Sequence, residues 1–207
     1  MLYQRYPILK ECQSSIEEAI HTVIRCYEEG GKLLICGNGG SCADSDHIVG
    51  ELMKGFLLKR RVGKDFVTKL KDAGIEDAEV MASKLQGALP AISLTSQNAL
   101  LSAYANDVDA QMVYAQMVYG YGRRGDVLIC LSTSGNSKNV VAAAKIAKTL
   151  ELKTVAMTGA AESELFRLCD VTIRVPENET FKVQELHLPV YHHLSARVEA
   201  HFFGVHS

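Results

Sequence analysis

Residues 32–53 constrain the fold of this chain more than any other stretch, because they join a strand signal to a helix signal through glycines. The apolar run at 33–36 predicts a buried strand, and the spacing of Ile48 and Leu52 predicts one face of a helix. Between them lies the glycine-rich turn 37–41. Glycines bring backbone N–H groups close to a ligand, and a helix N-terminus attracts negative charge. The stretch therefore predicts an anion site at the end of a strand.

The spacing of the turn argues against the common nucleotide sites. A P-loop needs a lysine after its glycines, and none follows here. A dinucleotide pattern begins with Gly37 and Gly39, but its third glycine position holds Cys42. Ser41 and Asp44 are expected to cap the helix. A plain strand-to-helix turn would also use these glycines, but the run of polar residues before the helix favours a small anion.

Composition narrows the class of protein. The chain has 207 residues and a net charge of −2, so no basic field attracts nucleic acid. No apolar run reaches the roughly 20 residues of a membrane span, and no signal peptide is predicted. Six cysteines without a C-x-x-C spacing predict reduced thiols in a cytoplasmic protein. The short basic cluster at 59–61 is interpreted as a solvated or interface face.

Short apolar runs alternate with helical spacing along the chain. Strands are predicted at residues 33–36, 91–94, 127–131, 154–157 and 171–175. Besides the helix after the first turn and one ending at 105, helices are predicted at residues 6–29, 110–119, 140–150, 164–168 and 183–203. This alternation is typical of an α/β protein with a three-layer, doubly wound parallel sheet. A single domain, residues 1–207, is expected.

Three further segments complete the predicted organisation. The long N-terminal helix, residues 6–29, is expected either to cover its own sheet or to pack against a partner subunit. Residues 55–89 are interpreted as a surface excursion with one or two short helices. Asn106 and Asp107 are expected to break the chain between two helices.

A second polar turn follows the strand predicted at 127–131. It places four hydroxyls within six residues: Ser132, Thr133, Ser134 and Ser137. Hydroxyls and helix N–H groups can bind a phosphate without lysine or arginine. A serine-rich helix cap would need only one or two of them. The turn therefore favours a phosphate site, at the carboxyl ends of the strands where parallel sheets bind ligands.

Two helices carry side chains with acid–base or ligand chemistry. The last predicted helix contains Gln184, Glu185, His187, His192 and His193. Gln184 and His192 are separated by a rise of about 12 Å, so spacing alone does not make them a metal pair. His47 and Glu51 share a helix face, but an exposed pair of this kind is common without function. The other two histidines of the last helix are interpreted as exposed.

Together these motifs resemble a known family. The Gly-Asn-Gly-Gly-Ser turn with His47 and Glu51, the hydroxyl-rich turn, and Gln184 with His192 are similar to the SIS (sugar isomerase) domain. Within that family they resemble the phosphoheptose isomerases, and the match spans about residues 6–203. The resemblance implies a flavodoxin-like sheet, a homotetramer with sites at subunit interfaces, and a zinc ion.

The resemblance also implies roles for individual residues. Glu51 and His192 would be the catalytic acid–base pair. The substrate-binding residues would be Asn38, Gly39, Gly40, Ser41, Asp107, Ser132, Thr133, Ser134, Ser137 and Gln184. The zinc ligands would be His47, Glu51, Gln184 and His192, a mixed nitrogen and oxygen set that zinc accepts. The implied reaction interconverts sedoheptulose 7-phosphate and a heptose 7-phosphate through an enediol(ate).

Two departures and two rival functions accompany this resemblance. The segment 55–89 is longer than the usual connection, and Phe181 stands where the family presents an aspartate. A non-catalytic SIS module, which senses a phosphosugar or binds a partner, is one rival. An isomerase for another ketose phosphate is the second. Non-catalytic modules usually lack the acid–base residues, so Glu51 and His192 favour an enzyme.

Overall fold

The computed structural model describes residues 2–204. Its central sheet consists of strands β1 (Leu33–Gly37), β2 (Ala91–Ser93), β3 (Val127–Leu131), β4 (Lys153–Thr158) and β5 (Val171–Arg174). The strands are all parallel and lie in the order β2-β1-β3-β4-β5. This is the flavodoxin-like order, which confirms the predicted doubly wound α/β fold.

Helices connect and cover the strands. In chain order they are α1 (Leu2–Arg5), α2 (Gln13–Glu28), α3 (Gly40–Met53), α4 (Lys64–Asp72), α5 (Ala78–Lys84), α6 (Asn98–Tyr104), α7 (Val113–Tyr121), α8 (Lys138–Thr149), α9 (Glu164–Leu168) and α10 (Thr180–Phe203). Within residues 2–204, no helix has both the length and the apolar character that a membrane crossing requires.

The core lies on both faces of the sheet, because successive strand side chains point to opposite sides. Leu33 and Ile35 of β1 pack in the layer that contains α2, α3 and α10. Leu34 and Cys36 pack in the opposite layer, with α7 and α8. All four side chains are fully buried. Strands that are apolar on both faces are what a helix-covered parallel sheet requires, so the three-layer prediction is confirmed.

The N-terminal region differs from the prediction of one helix over residues 6–29. Pro7–Cys12 forms a 3-10 helix, and α2 begins only at Gln13. A 3-10 helix repeats every three residues, which aligns Leu9 with Cys12, and both side chains are buried. The helix α2 packs on the sheet and on α10 of its own chain. Of the two positions expected for this helix, the structure adopts the intramolecular one.

Two connecting segments test the rest of the predicted organisation. The break expected at Asn106 and Asp107 is wrong, since the chain continues from α6 into a π-helical turn, Ala105–Asp109. The excursion at 55–89 forms the two short helices α4 and α5, as expected. An antiparallel bridge between Arg61 and Gln86 joins the two ends of this excursion.

Candidate active site

The first polar turn lies at the carboxyl end of β1 and leads into α3. Gly39 has a φ of +57° there, a conformation that glycine tolerates, and α3 begins at Gly40. The expected caps are wrong: within residues 2–204, no side chain caps this helix at its N-terminus. The helix starts early enough to draw Ser41 into its first turn, where the side chain is buried, and Asp44 instead accepts a hydrogen bond from Tyr191.

Hydrogen bonds hold the first turn against the start of α8. The side-chain amides of Asn38 and Asn139 exchange two hydrogen bonds, 2.8 and 2.9 Å long. The hydroxyl of Tyr114 donates to the carbonyl oxygen of Gly37 over 2.8 Å. Because β1 and β3 are neighbours, both polar turns lie at the same edge of the sheet. Asn139 and Tyr114 were not predicted as site residues, since their partners lie 101 and 77 positions away in the sequence.

The second polar turn is held by bonds among its own residues. The hydroxyls of Ser132 and Ser137 lie 2.9 Å apart, and the backbone N–H of Asn136 donates to Ser134 Oγ over 3.2 Å. Gly135 has a φ of +65° and lies directly against Ser163, where a Cβ atom would not fit. Ser137 makes no side-chain cap at the start of α8. Since the first N–H groups of a helix lack partners within it, this turn can present them to a phosphate.

His47 and Glu51 of α3 form a cluster with His192 of α10, where the two helices pack together. Glu51 Oε1 lies 3.5 Å from His47 Nε2 and 3.2 Å from His192 Nε2. The Glu51 side chain is only 4% exposed, whereas those of His47 and His192 are 51% and 36% exposed. Within residues 2–204, neither carboxylate oxygen of Glu51 makes a well-formed hydrogen bond. The sequence predicted this pairing of Glu51 with His192, and the structure brings the two side chains together.

The surroundings shift the pKa values of Glu51 and His192 in opposite directions. Burial raises the pKa of Glu51 to about 7, while the neighbouring Ser195 hydroxyl opposes the rise. Burial also lowers the pKa of His192, and the nearby His47 acts in the same direction. A carboxyl group that titrates near pH 7 and an unprotonated imidazole are suited to give and accept protons.

The same three side chains are suited to hold a zinc ion. Each offers one nitrogen or oxygen atom, and these atoms all lie within 4.8 Å of one another. Zinc bonds of about 2.0–2.2 Å in a tetrahedron separate the ligand atoms by about 3.4 Å. The two distances from Glu51 Oε1, 3.5 and 3.2 Å, bracket that value. A buried carboxylate that lacks a well-formed hydrogen bond and lies between two imidazoles therefore fits the zinc expectation.

Gln184, the fourth predicted ligand, lies near the other end of α3. A Cβ atom on Gly40 would be 2.5 Å from Gln184 Nε2, so the bare glycine makes room for this side chain. His47, Glu51 and His192 therefore come together within one chain, while Gln184 contacts the first polar turn. The resemblance implies sites at subunit interfaces, and these three residues already meet within one chain.

Two other predicted positions have surroundings of a different kind. Asp107 is exposed on the π-helical turn, and within the described chain its carboxylate accepts a hydrogen bond only from Asn106. His187 was expected to be exposed, but it is fully buried, with Nε2 3.4 Å from the carbonyl oxygen of Thr158. Its position four residues after the buried Val183 could have revealed this. Burial lowers the pKa of His187 to about 4.

A buried ion pair supports the end of α3 that carries Glu51. The Arg60 Nε lies 2.7 Å from Glu199 Oε1, and both side chains are fully buried. Arg60 also donates to the carbonyl oxygens of Glu51 and Leu52, over 2.9 and 2.6 Å. Glu199 accepts three further hydrogen bonds from the backbone N–H groups of residues 56–58. The interpretation of Arg60 as part of a solvated or interface face is therefore wrong.

Comparison with known proteins identifies the class. The SIS domain model matches residues 6–86 and 77–159. The phosphoheptose isomerase of Helicobacter pylori is 36% identical over 194 residues, which cover 94% of this chain and 88% of that protein. The phosphoheptose isomerase of Clostridium acetobutylicum is 36% identical over 199 residues, with coverages of 95% and 88%.

A solved structure agrees with these relatives. The phosphoheptose isomerase of Neisseria gonorrhoeae superimposes with a TM-score of 0.75 at 27% identity, covering 95% of this chain and 94% of that one. The chain therefore belongs to the SIS domain family. Within that family it groups with the phosphoheptose isomerases, and it is an isomerase.

Proposed function

We propose that this protein is an aldose–ketose isomerase that interconverts sedoheptulose 7-phosphate and a heptose 7-phosphate. The observation that carries the proposal is the contact between Glu51 and His192, 3.2 Å apart, in a chain that also has two polar turns suited to bind an anion. Phosphoheptose isomerases 36% identical to this chain support the choice of a heptose phosphate.

The two polar turns are assigned to different parts of the substrate. The phosphate occupies the turn at 132–137, where Ser132, Thr133, Ser134 and Ser137 supply hydroxyls beside the N-terminus of α8. Binding energy gained there holds the sugar without acting on the reacting carbons. The remaining contacts to the sugar are assigned to Asn38, Gly39, Gly40, Ser41, Asp107 and Gln184.

Glu51 and His192 move the protons. Isomerisation removes a proton from the carbon next to the carbonyl group and delivers one to the neighbouring carbon, through an enediol(ate). A carboxylate and an imidazole next to these carbons can perform both transfers. The pKa of Glu51, raised by burial to about 7, lets the same group accept a proton and return it at neutral pH.

Zinc is assigned to His47, Glu51 and His192. Since Gln184 of the same chain lies near the other end of α3, the fourth ligand, Gln184, is assigned to a neighbouring subunit. A bound zinc ion supplies Lewis acidity, which polarises a carbonyl or enediolate oxygen. The chain is further proposed to act as a single SIS domain in a cytoplasmic homotetramer. Exposed apolar side chains on several elements are consistent with subunit contacts, since Leu57, Val108 and Tyr119 are 69%, 65% and 66% exposed.

A panel of ketose phosphates tests the substrate, with sedoheptulose 7-phosphate and ketohexose and ketopentose phosphates offered in parallel. We expect turnover to be fastest with the seven-carbon sugar. Faster turnover of another ketose phosphate would replace the substrate and keep the reaction class. Tight binding of a phosphosugar without turnover of any compound would instead establish the non-catalytic sensing module.

Metal analysis and sedimentation test the assembly. We expect one zinc ion per chain, loss of activity in chelator, and the mass of a tetramer. A fully active monomer in chelator would reject both the metal and the assembly. A tetramer without zinc would remove the metal alone.

A further inference from the structure

We propose that Tyr191 and Asp44 fix the tautomer of His47, so that its Nε2 lone pair faces Glu51. Tyr191 and Asp44 are thus positioning residues, and they act on the ring that would bind zinc or substrate. This inference rests on the proposed function only in assigning a purpose to His47.

The contacts form a continuous chain of three side chains. The Tyr191 hydroxyl lies 3.1 Å from Asp44 Oδ1 and 3.0 Å from His47 Nδ1. Tyr191 is only 1% exposed, and Asp44 is half-buried. The rings of Tyr191 and His47 also meet edge to face, with centroids 5.5 Å apart. The hydroxyl is therefore held between one acceptor and one imidazole nitrogen.

Counting protons assigns the tautomer. An ionised carboxylate can only accept hydrogen bonds, and a tyrosine hydroxyl has one proton to donate. Tyr191 gives that proton to Asp44. Its oxygen must then accept from His47, so His47 carries its proton on Nδ1. A neutral imidazole has one protonated nitrogen, which leaves Nε2 with its lone pair, 3.5 Å from Glu51 Oε1.

The hydrogen bonds that link Asp44, Tyr191 and His47 resemble those that orient a metal-binding histidine. Metal-binding histidines commonly donate their second ring nitrogen to a partner that fixes the tautomer and the ring orientation. Here the carboxylate of Asp44 acts on His47 indirectly, because the Tyr191 hydroxyl lies between them. Since Asp44 and Tyr191 are 147 positions apart in the sequence, the spacing of His47 and Glu51 does not reveal this support.

The decisive measurement is nitrogen-15 NMR of the His47 ring in metal-free protein, in which protonated and unprotonated ring nitrogens have distinct shifts. We expect Nδ1 protonated and Nε2 unprotonated in the native chain. Tyr191→Phe removes the acceptor and should leave a mixture of the two tautomers. Asp44→Ala frees the tyrosine proton to bond to Nδ1, so it should shift the ring to the Nε2-protonated form.

Zinc affinity, measured by chelator competition, is the second readout. Loss of a residue that supports a metal ligand lowers affinity by about 10- to 100-fold, and we expect this for Tyr191→Phe. The matched control is Tyr27→Phe, which removes from a buried tyrosine a hydroxyl that donates to the Pro90 carbonyl. That control should change neither the tautomer of His47 nor the zinc affinity.

The outcomes separate this inference from the proposed function. A native His47 protonated on Nε2, or a Tyr191→Phe protein that matches the Tyr27→Phe control in tautomer and affinity, would overturn it. If Tyr191→Phe does not fold, the native spectrum and Asp44→Ala still decide. Neither measurement uses a sugar, so failure of every ketose phosphate to turn over would reject the proposed function and leave the tautomer result standing.

Discussion

The turn at 132–137 and the cluster of His47, Glu51 and His192 differ in where their polar groups come from and in how those groups are hydrogen-bonded. The turn takes its polar groups from six consecutive residues, and several of them bond to one another. The cluster takes its groups from two helices far apart in the sequence. Within the described chain, its central carboxylate has no well-formed hydrogen bond although it is buried.

The difference separates a site formed by local structure from one that depends on tertiary packing. A hydroxyl-lined turn at a helix start satisfies much of its own polarity, so it costs the fold little. An unpaired buried carboxylate is destabilising unless it is protonated or gains a partner. The cluster is therefore expected to give large effects on activity, and the turn to give smaller effects on binding.

The largest expected effect follows from removing the acid–base groups. Glu51→Gln and His192→Ala should each lower kcat by about 10²-fold or more, the usual scale for positioned proton-transfer groups. Glu185→Gln, on the exposed side of α10, is the control for the loss of a carboxylate. Steady-state kinetics on the true substrate measures both values. Near-native turnover by both site variants would show that the cluster is not catalytic.

The next effect concerns the ion pair that supports the cluster. Arg60→Met leaves Glu199 buried without its charge partner, and such a loss costs about 3–5 kcal/mol of unfolding free energy. Lys71→Met breaks the exposed pair of Lys71 with Glu79 and should produce no measurable change. Urea denaturation of both variants provides the comparison. Equal midpoints would mean that the buried pair does not stabilise this end of α3.

A third test uses His187, whose Nε2 lies against Thr158 beneath the second polar turn. Burial lowers its pKa from 6.5 to about 4, so the unfolded chain takes up this proton first as the pH falls. Its contribution to stability is therefore present above pH 6.5 and lost towards pH 4. The loss should approach about 3 kcal/mol, at about 1.36 kcal/mol per pKa unit.

Comparison with His187→Leu isolates that contribution, because the variant lacks the titrating group. The difference in unfolding free energy between the two proteins should depend on pH between 6.5 and 4, and be constant above pH 7. A difference independent of pH over the whole range would contradict a buried neutral histidine.

The smallest expected effect lies in the turn. Ser134→Ala should raise KM by about tenfold or more and leave kcat nearly unchanged, since a hydrogen bond to a charged group contributes about 1.5–3 kcal/mol. Ser83→Ala, on α5, is the control, because its hydroxyl bonds only to the carbonyl of Val80 within the described chain. A sugar phosphate whose phosphate group binds elsewhere would contradict the assignment of this turn.

The same contrast explains what the sequence could predict. The strand at Val127–Leu131 and the turn after it are local patterns, an apolar run and clustered hydroxyls, and both were located correctly. The pairing of Glu51 with His192 was predicted through resemblance, because spacing along either helix says nothing about the partner helix.

Other features depend on packing that leaves no local pattern. Arg60 lies in a basic cluster that suggests solvent, and only the fold brings Glu199 to it, 139 positions away. The buried apolar residues of the 3-10 helix Pro7–Cys12 continue the spacing of those in α2. The periodicity of the sequence therefore predicted a single helix over both segments.

The bridge between Arg61 and Gln86 has a consequence for how this chain tolerates changes in length. The backbone N–H of Gly87 donates to the carbonyl oxygen of Arg60 over 2.8 Å, so the segment between them leaves the body of the protein and returns at almost the same point. The helix α4 buries no side chain, and α5 buries only Ala78 and Ala82. Chain added or deleted between two adjoining anchors changes loop entropy only slowly. Residues 62–85 thus form a site where a reporter peptide can be inserted, or a short turn substituted, without moving the helices that carry the acid–base pair.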